Sequence, residues 1–209
     1  MHELQTKIAE LMKTKQRIII IGIGENRMGD DGFGPYMIYR LISRIKKEIG
    51  LKYDTQMNTF HTPTGKQVKL MNAGITIESR IQEILHFNPD FMLLIDAIET
   101  SQFDQERIFL VSEYQFVPIL PISSHSLPVQ LVLRIIREKI ALPEVYLLGI
   151  KPRSLEIPDR FVQFEPEIIS LDDFDENPDL PFFQFNLSHG VLSNAHYLEE
   201  KMVKILLTL

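Results

Sequence analysis

Ile18, Ile19, Ile20 and Ile21 form an apolar run without polar interruption, and it ends in Gly22-Ile23-Gly24. A continuous β-branched run of this length predicts a strand buried on both faces that feeds a tight turn. Met37, Ile38, Leu41, Ile42 and Ile45 follow with helical spacing, so the core opens strand–loop–helix. Before it, Leu4, Ile8 and Leu11 recur at helical spacing in an otherwise polar and charged stretch. Residues 76–87 place Ile77, Ile81, Ile84 and Leu85 on one helical face. Thr76 stands where a hydroxyl caps the first turn, and Asn88-Pro89 stops the helix. Short apolar runs at 91–95, 107–111 and 145–150 predict further strands. Residues 129–140 and 188–208 predict helices, the last striped by Val191, Leu198, Met202, Ile205 and Leu206. Between 47 and 73 the pattern is less regular. Two short strands, near 51–57 and 67–71, flank the turn signal His61-Thr62-Pro63-Thr64-Gly65, and the second is expected in the sheet.

Strands alternating with helices imply an α/β fold whose mostly parallel sheet is covered on both faces. Its 209 residues fit a single domain, 1–209, with one core. One stretch stands apart. Residues 151–187 carry many prolines, dense acids between Glu165 and Asp179, and interleaved phenylalanines including Phe161, Phe164, Phe174 and Phe185. Connections this long are usually functional or mobile. The phenylalanines suggest packing against the domain or a partner.

Composition narrows the function. A net charge of -6 argues against a general nucleic-acid footprint. The absence of cysteine removes disulfides, thiolate metal sites and cysteine nucleophiles. Any metal must then be held by His, Asp, Glu or backbone oxygen. The first sixteen residues lack the apolar core of a signal peptide, and no apolar run approaches a membrane span. The expectation is a cytoplasmic protein that engages neither membrane nor nucleic acid.

Three polar features fall after predicted strands or before predicted helices. Gly29-Asp30-Asp31-Gly32 lies between the first strand and its helix, Asp96 follows Phe91-Met92-Leu93-Leu94-Ile95, and His125 lies in the loop opening the helix at 129. Ligands of open α/β sheets bind beyond the carboxyl ends of the strands, which places Asp31, Asp96 and His125 around one crevice. Two carboxylates and an imidazole make a hard-to-borderline metal site. Their spacing is no local metal motif, so the site depends on the fold. Each residue also has a plainer reading: Asp30 or Asp31 as a helix cap, Asp96 as a strand-end turn residue, His125 as an ordinary loop histidine.

Other motifs fail on particular residues. Gly22-Ile23-Gly24 lacks the third glycine of a dinucleotide fingerprint, since that position is Arg27. Asp173-Phe174-Asp175-Glu176-Asn177 opens like a calcium loop, but Pro178 replaces the turn glycine and Gln184 the closing glutamate. Ser123, Ser124 and Ser126 flank His125 without a G-x-S-x-G elbow. Ser188 is expected to cap the last helix, with His189 at its start.

Together these motifs carry a family resemblance. Gly22-Ile23-Gly24-Glu25-Asn26-Arg27-Met28-Gly29-Asp30-Asp31-Gly32-Phe33-Gly34-Pro35 resembles the opening motif of the hydrogenase maturation endopeptidases. Leu94-Ile95-Asp96-Ala97, Ser123-Ser124-His125-Ser126-Leu127-Pro128 and Leu147-Leu148-Gly149-Ile150-Lys151-Pro152 resemble the motifs that follow, leaning toward the formate-hydrogenlyase and energy-converting subgroup. The resemblance implies a three-layer α/β/α sandwich with a mostly parallel five-stranded sheet, similar to phosphorylase/hydrolase-like folds. It implies a metal-dependent, aspartic-type endopeptidase that removes the C-terminal tail of a nickel–iron hydrogenase large-subunit precursor after nickel insertion. The implied metal-contacting and catalytic residues are Asp31, Asp96 and His125. The implied metal is nickel, carried by the precursor rather than held tightly at rest. Glu25 departs from the asparagine usual at its position, and residues 151–187 exceed the typical length. Those departures keep open a non-proteolytic module that binds a metal or the precursor, and fold alone leaves a different hydrolase or phosphorylase open.

Overall fold

The computed structural model describes residues 2–104, 107–115, 129–141, 143–153, 155, 185 and 187–209. The isoleucine run lies at the centre of strand β1 (Arg17–Ile23), and all four isoleucines are fully buried. Burial of each such side chain contributes roughly 1.5–3 kcal/mol. Parallel strands β3 (Gln67–Gly74) and β4 (Phe91–Ala97) flank β1, and β6 (Glu144–Ile150) continues the sheet beside β4. Short antiparallel strands form the edges: β2 (Thr59–His61) on β3 and β5 (Ile108–Ser112) on β6. The order is β2-β3-β1-β4-β6-β5.

Side-chain alternation divides the core. Ile18 and Ile20 of β1 with Leu93 and Ile95 of β4 face helices α1 (His2–Lys13), α2 (Phe33–Ile49) and α5 (His189–Thr208). Ile19, Ile21, Met92 and Leu94 face α3 (Ile81–Phe87) and α4 (Val129–Arg137). The result is the expected three-layer α/β/α arrangement. Among the described residues no helix is long and apolar enough to cross a membrane.

The sheet has six strands, not five. No strand forms over 51–57. A 3-10 turn covers Gly50–Lys52, and the Asp54 carboxylate then accepts the N–H groups of Gln56 and Met57 at 3.0 and 3.1 Å. Such a side-chain turn competes with a strand ladder, so the extended piece begins only at Thr59 and pairs antiparallel with β3. Thr76 makes no side-chain cap. The first turn after it, Ile77–Arg80, is 3-10, and the Ser79 hydroxyl donates to the Thr76 carbonyl at 2.7 Å. Asn88 ends α3 as expected, with φ 51° and its N–H on the Ile84 carbonyl.

Candidate active site

From β1 the chain crosses first to β3 on one side and later to β4 on the other. The topological switch point therefore lies between β1 and β4, at their carboxyl ends. Helix α2 begins directly over this gap. A Cβ on Gly34 would sit 2.3 Å from the carbonyl oxygens of both Ile23 and Ile95, so only glycine permits this approach. That is the close helix–strand packing a third fingerprint glycine provides, supplied ten residues after Gly24 instead of three.

The 3-10 turn Gly29–Gly32 is wholly buried and packs against β4. Within it Asp30 and Asp31 serve different partners. The Asp31 carboxylate accepts the Glu25 N–H at 2.7 Å. Gly24, with φ +133°, brings its backbone so close that a Cβ would lie 1.9 Å from the Asp31 carbonyl oxygen. The loop 24–26 thus wraps Asp31, which is 6 % exposed. Asp96, 4 % exposed, is the penultimate residue of β4 and pairs in register with Gly149 of β6. The next strand places Phe109 opposite Gly149, its ring in the space a side chain there would need and stacked on Phe103 at 4.2 Å. Asp96 therefore has an apolar wall along its own face of the sheet. Two buried carboxylates at one switch point bring together oxygen atoms of the kind that could ligate a metal ion.

The structure places Asp31 and Asp96 on the same carboxyl edge, as the sequence predicts. His125 and the motif residues 123–128 lie outside the described residues, as does most of 151–187. Among the described residues no three His, Asp or Glu side chains form a metal cluster.

Asp30 is the residue whose role the sequence reading missed. It caps no helix. Fully buried, it accepts the Arg153 N–H at 2.8 Å, the Ser188 N–H at 2.6 Å and the Ser188 hydroxyl at 2.9 Å. Ser188 accordingly makes no side-chain cap at the start of α5, because its hydroxyl points to Asp30. Arg153 and Ser188 bracket the long segment 151–187, so Asp30 ties both of its roots to the turn that carries Asp31. Glu25, at the other side of that turn, leans back on Arg27: its Oε1 accepts from the Arg27 backbone N–H at 3.3 Å and from Nε at 3.4 Å.

Comparison with known proteins points one way. A family model described as hydrogenase maturation protease matches residues 52–168, a stretch that includes Asp96 and His125. A Methanocaldococcus jannaschii protein assigned as a hydrogenase maturation protease is 24% identical over 154 residues, covering 73% of this chain and 82% of that protein. The fold is similar to that of the NiFe hydrogenase maturation protease HycI from Thermococcus kodakarensis KOD1, with TM-score 0.64, 24% identity and coverage of 96% of this chain and 98% of that one. It is also similar to the hydrogenase maturating endopeptidase HybD from E. coli, with TM-score 0.57, 18% identity and 89% of each chain covered. The family match spans more than half of the 209 residues, and the chain therefore belongs to the hydrogenase maturation proteases.

Proposed function

We propose that this chain is an endopeptidase that removes the C-terminal tail from a nickel–iron hydrogenase large-subunit precursor once nickel has been inserted. The observation that carries this reading is the placement of two buried carboxylates, Asp31 and Asp96, on either side of the β1/β4 switch point. Family membership supports the reaction class, and the donor set supports the metal. Carboxylate oxygens, with the imidazole of His125 as third donor, suit nickel carried in by the substrate. Such an ion, bound there, supplies Lewis acidity toward the scissile carbonyl or a water.

The chain's own groups do the rest. The Glu25 N–H fixes the Asp31 carboxylate, so its geometry is set before substrate arrives. Asp96 is held by the strand ladder, in register with Gly149, over which the Phe109 ring lies. With no cysteine in the chain, proton handling falls to a carboxylate or to His125. The protein is read as working in the cytoplasm, where its precursor substrate is assembled.

Purified protein incubated with unprocessed large subunit, with and without nickel, tests this by mass measurement. Loss of the tail mass in the nickel-loaded sample alone is expected. An unchanged precursor in both samples favours the module that binds without cutting, and equal cutting in both removes nickel from the account.

A further inference from the structure

Among the described residues the outer edge of β3 is covered only in part. β2 pairs with Gln67, Val68 and Lys69. The chain then folds back before Thr59, where Asp54 and Thr59 exchange backbone hydrogen bonds at 2.8 and 3.2 Å. Leu70 still donates its N–H to the Asn58 carbonyl, at 2.9 Å, on that outer side. The two-residue period of a strand turns the N–H of Asn72 to the same side, beyond the reach of β2 and just before the register shift that pairs Ile23 with Gly74.

Asn72 stands where two clefts adjoin. One, of about 290 Å³, is lined by Tyr39 and Ile42 of α2, from one face of the sheet, and by Arg80 and Glu83 at the start of α3, from the other. A cavity walled by helices on opposite faces of a sheet lies at the sheet's edge. The second, of about 310 Å³, shares Asn72 and Arg80 and extends to Gly24, Glu25 and Asn26. Those loop residues wrap Asp31, whose carboxylate holds the Glu25 N–H. Ile75, 37% exposed, lines this second cleft.

We propose that the outer edge of β3 at Asn72 is the docking edge for the precursor's tail, which adds to the sheet as an extended strand and is led along the two clefts to Asp31. Strand addition draws affinity from main-chain hydrogen bonds and selectivity from side-chain pockets on either side of the pairing residue. Here the apolar wall of Tyr39 and Ile42 and the guanidinium of Arg80 supply the two kinds of pocket lining. The occupant follows from continuity, since the second cleft reaches the loop Gly24–Asn26, whose Glu25 N–H holds the candidate catalytic carboxylate. The inference rests on the protease reading and specifies how that reading's substrate is held.

Asn72 allows a test that isolates its N–H. Proline at 72 removes a donor that faces away from β1, a position where sheet edges tolerate proline. Alanine at 72 keeps the N–H and removes the side chain, whose Oδ1 accepts the Gly74 N–H at 3.0 Å. The probe is a fluorescein-labelled, nickel-free peptide spanning the tail of a hydrogenase large-subunit precursor and the residues before it. Titrated with the full chain, Asn72→Pro should weaken binding about fivefold, the worth of one hydrogen bond, while Asn72→Ala stays within about twofold of the unaltered chain. Amide exchange at Asn72 in the unaltered chain should slow when peptide saturates it, which decides the matter even if the proline variant fails to fold. No peptide binding, unchanged exchange at Asn72, or equal affinity of a folded proline variant overturns the proposal. Intact processing by Asp31→Ala would instead defeat the protease reading and leave the docking result standing.

Discussion

Asp30 and Asp31 are neighbours in one turn, both buried, and they face different problems. Asp31 holds an amide of its own loop and borders the switch point, whereas Asp30 takes donors from two distant segments. Removing a buried carboxylate with three donors strands those donors, and each stranded group costs free energy. Asp30→Ala should therefore lower unfolding free energy by about 3 kcal/mol in urea titration, with no such loss for Asp31→Asn, which keeps an acceptor for the Glu25 N–H. Equal stability of Asp30→Ala and the unaltered chain would show that the tie to Arg153 and Ser188 is idle. The motif Gly29-Asp30-Asp31-Gly32 marks both acids as notable, but it cannot say which faces the crevice. That depends on Arg153 and Ser188, more than 120 residues away, as the separations of 123 and 158 show.

Elements whose pattern is set by burial on the sheet were legible, and those set by local side-chain turns were not. The isoleucine run specifies β1 because every position along it is buried, and the stripe of α5 specifies its packing face. The strand expected over 51–57 failed because Asp54 satisfies nearby amides through its own carboxylate. The edge strand β2 was hidden because it has three residues, too few for any period to show. Between elements, Lys15 after α1 reaches Glu144 at the start of β6. The Lys15 hydrogen bond pulls the Glu144 carboxyl below its ordinary pKa against the opposing effect of burial, with a lesser contribution from the Tyr146 hydroxyl. Because the folded-state pKa is depressed, the pair's contribution is full above the ordinary carboxylate range and is lost as pH falls through the lower folded value. Solvent screening keeps it below about 1 kcal/mol. Lys15→Met should cost a fraction of that near neutral pH and nothing in strong acid, as read by urea unfolding at both. A difference that grows on acidification would reverse the sign assigned here.

At the scale of the molecule, the sheet order brings Asp31 and Asp96 to one edge from positions far apart in the chain. The alternation of strands and helices made that edge predictable, because a parallel sheet puts every strand-to-helix loop on the same side. It could not reveal the rim of β3 that the described residues leave partly uncovered beside it, since the end of β2 is set by the turn at Asp54. The proposed function makes a sharp demand of this architecture: with both acids assigned to one bond, each must be needed for cutting and neither for folding. The decisive measurement compares Asp31→Asn and Asp96→Asn with the unaltered chain, reading tail removal from nickel-loaded precursor by mass and thermal unfolding in parallel. Both variants should melt near the unaltered chain and leave the tail in place. A folded Asp31→Asn or Asp96→Asn that trims the precursor at the ordinary rate would contradict the assignment of the switch point as the site of hydrolysis.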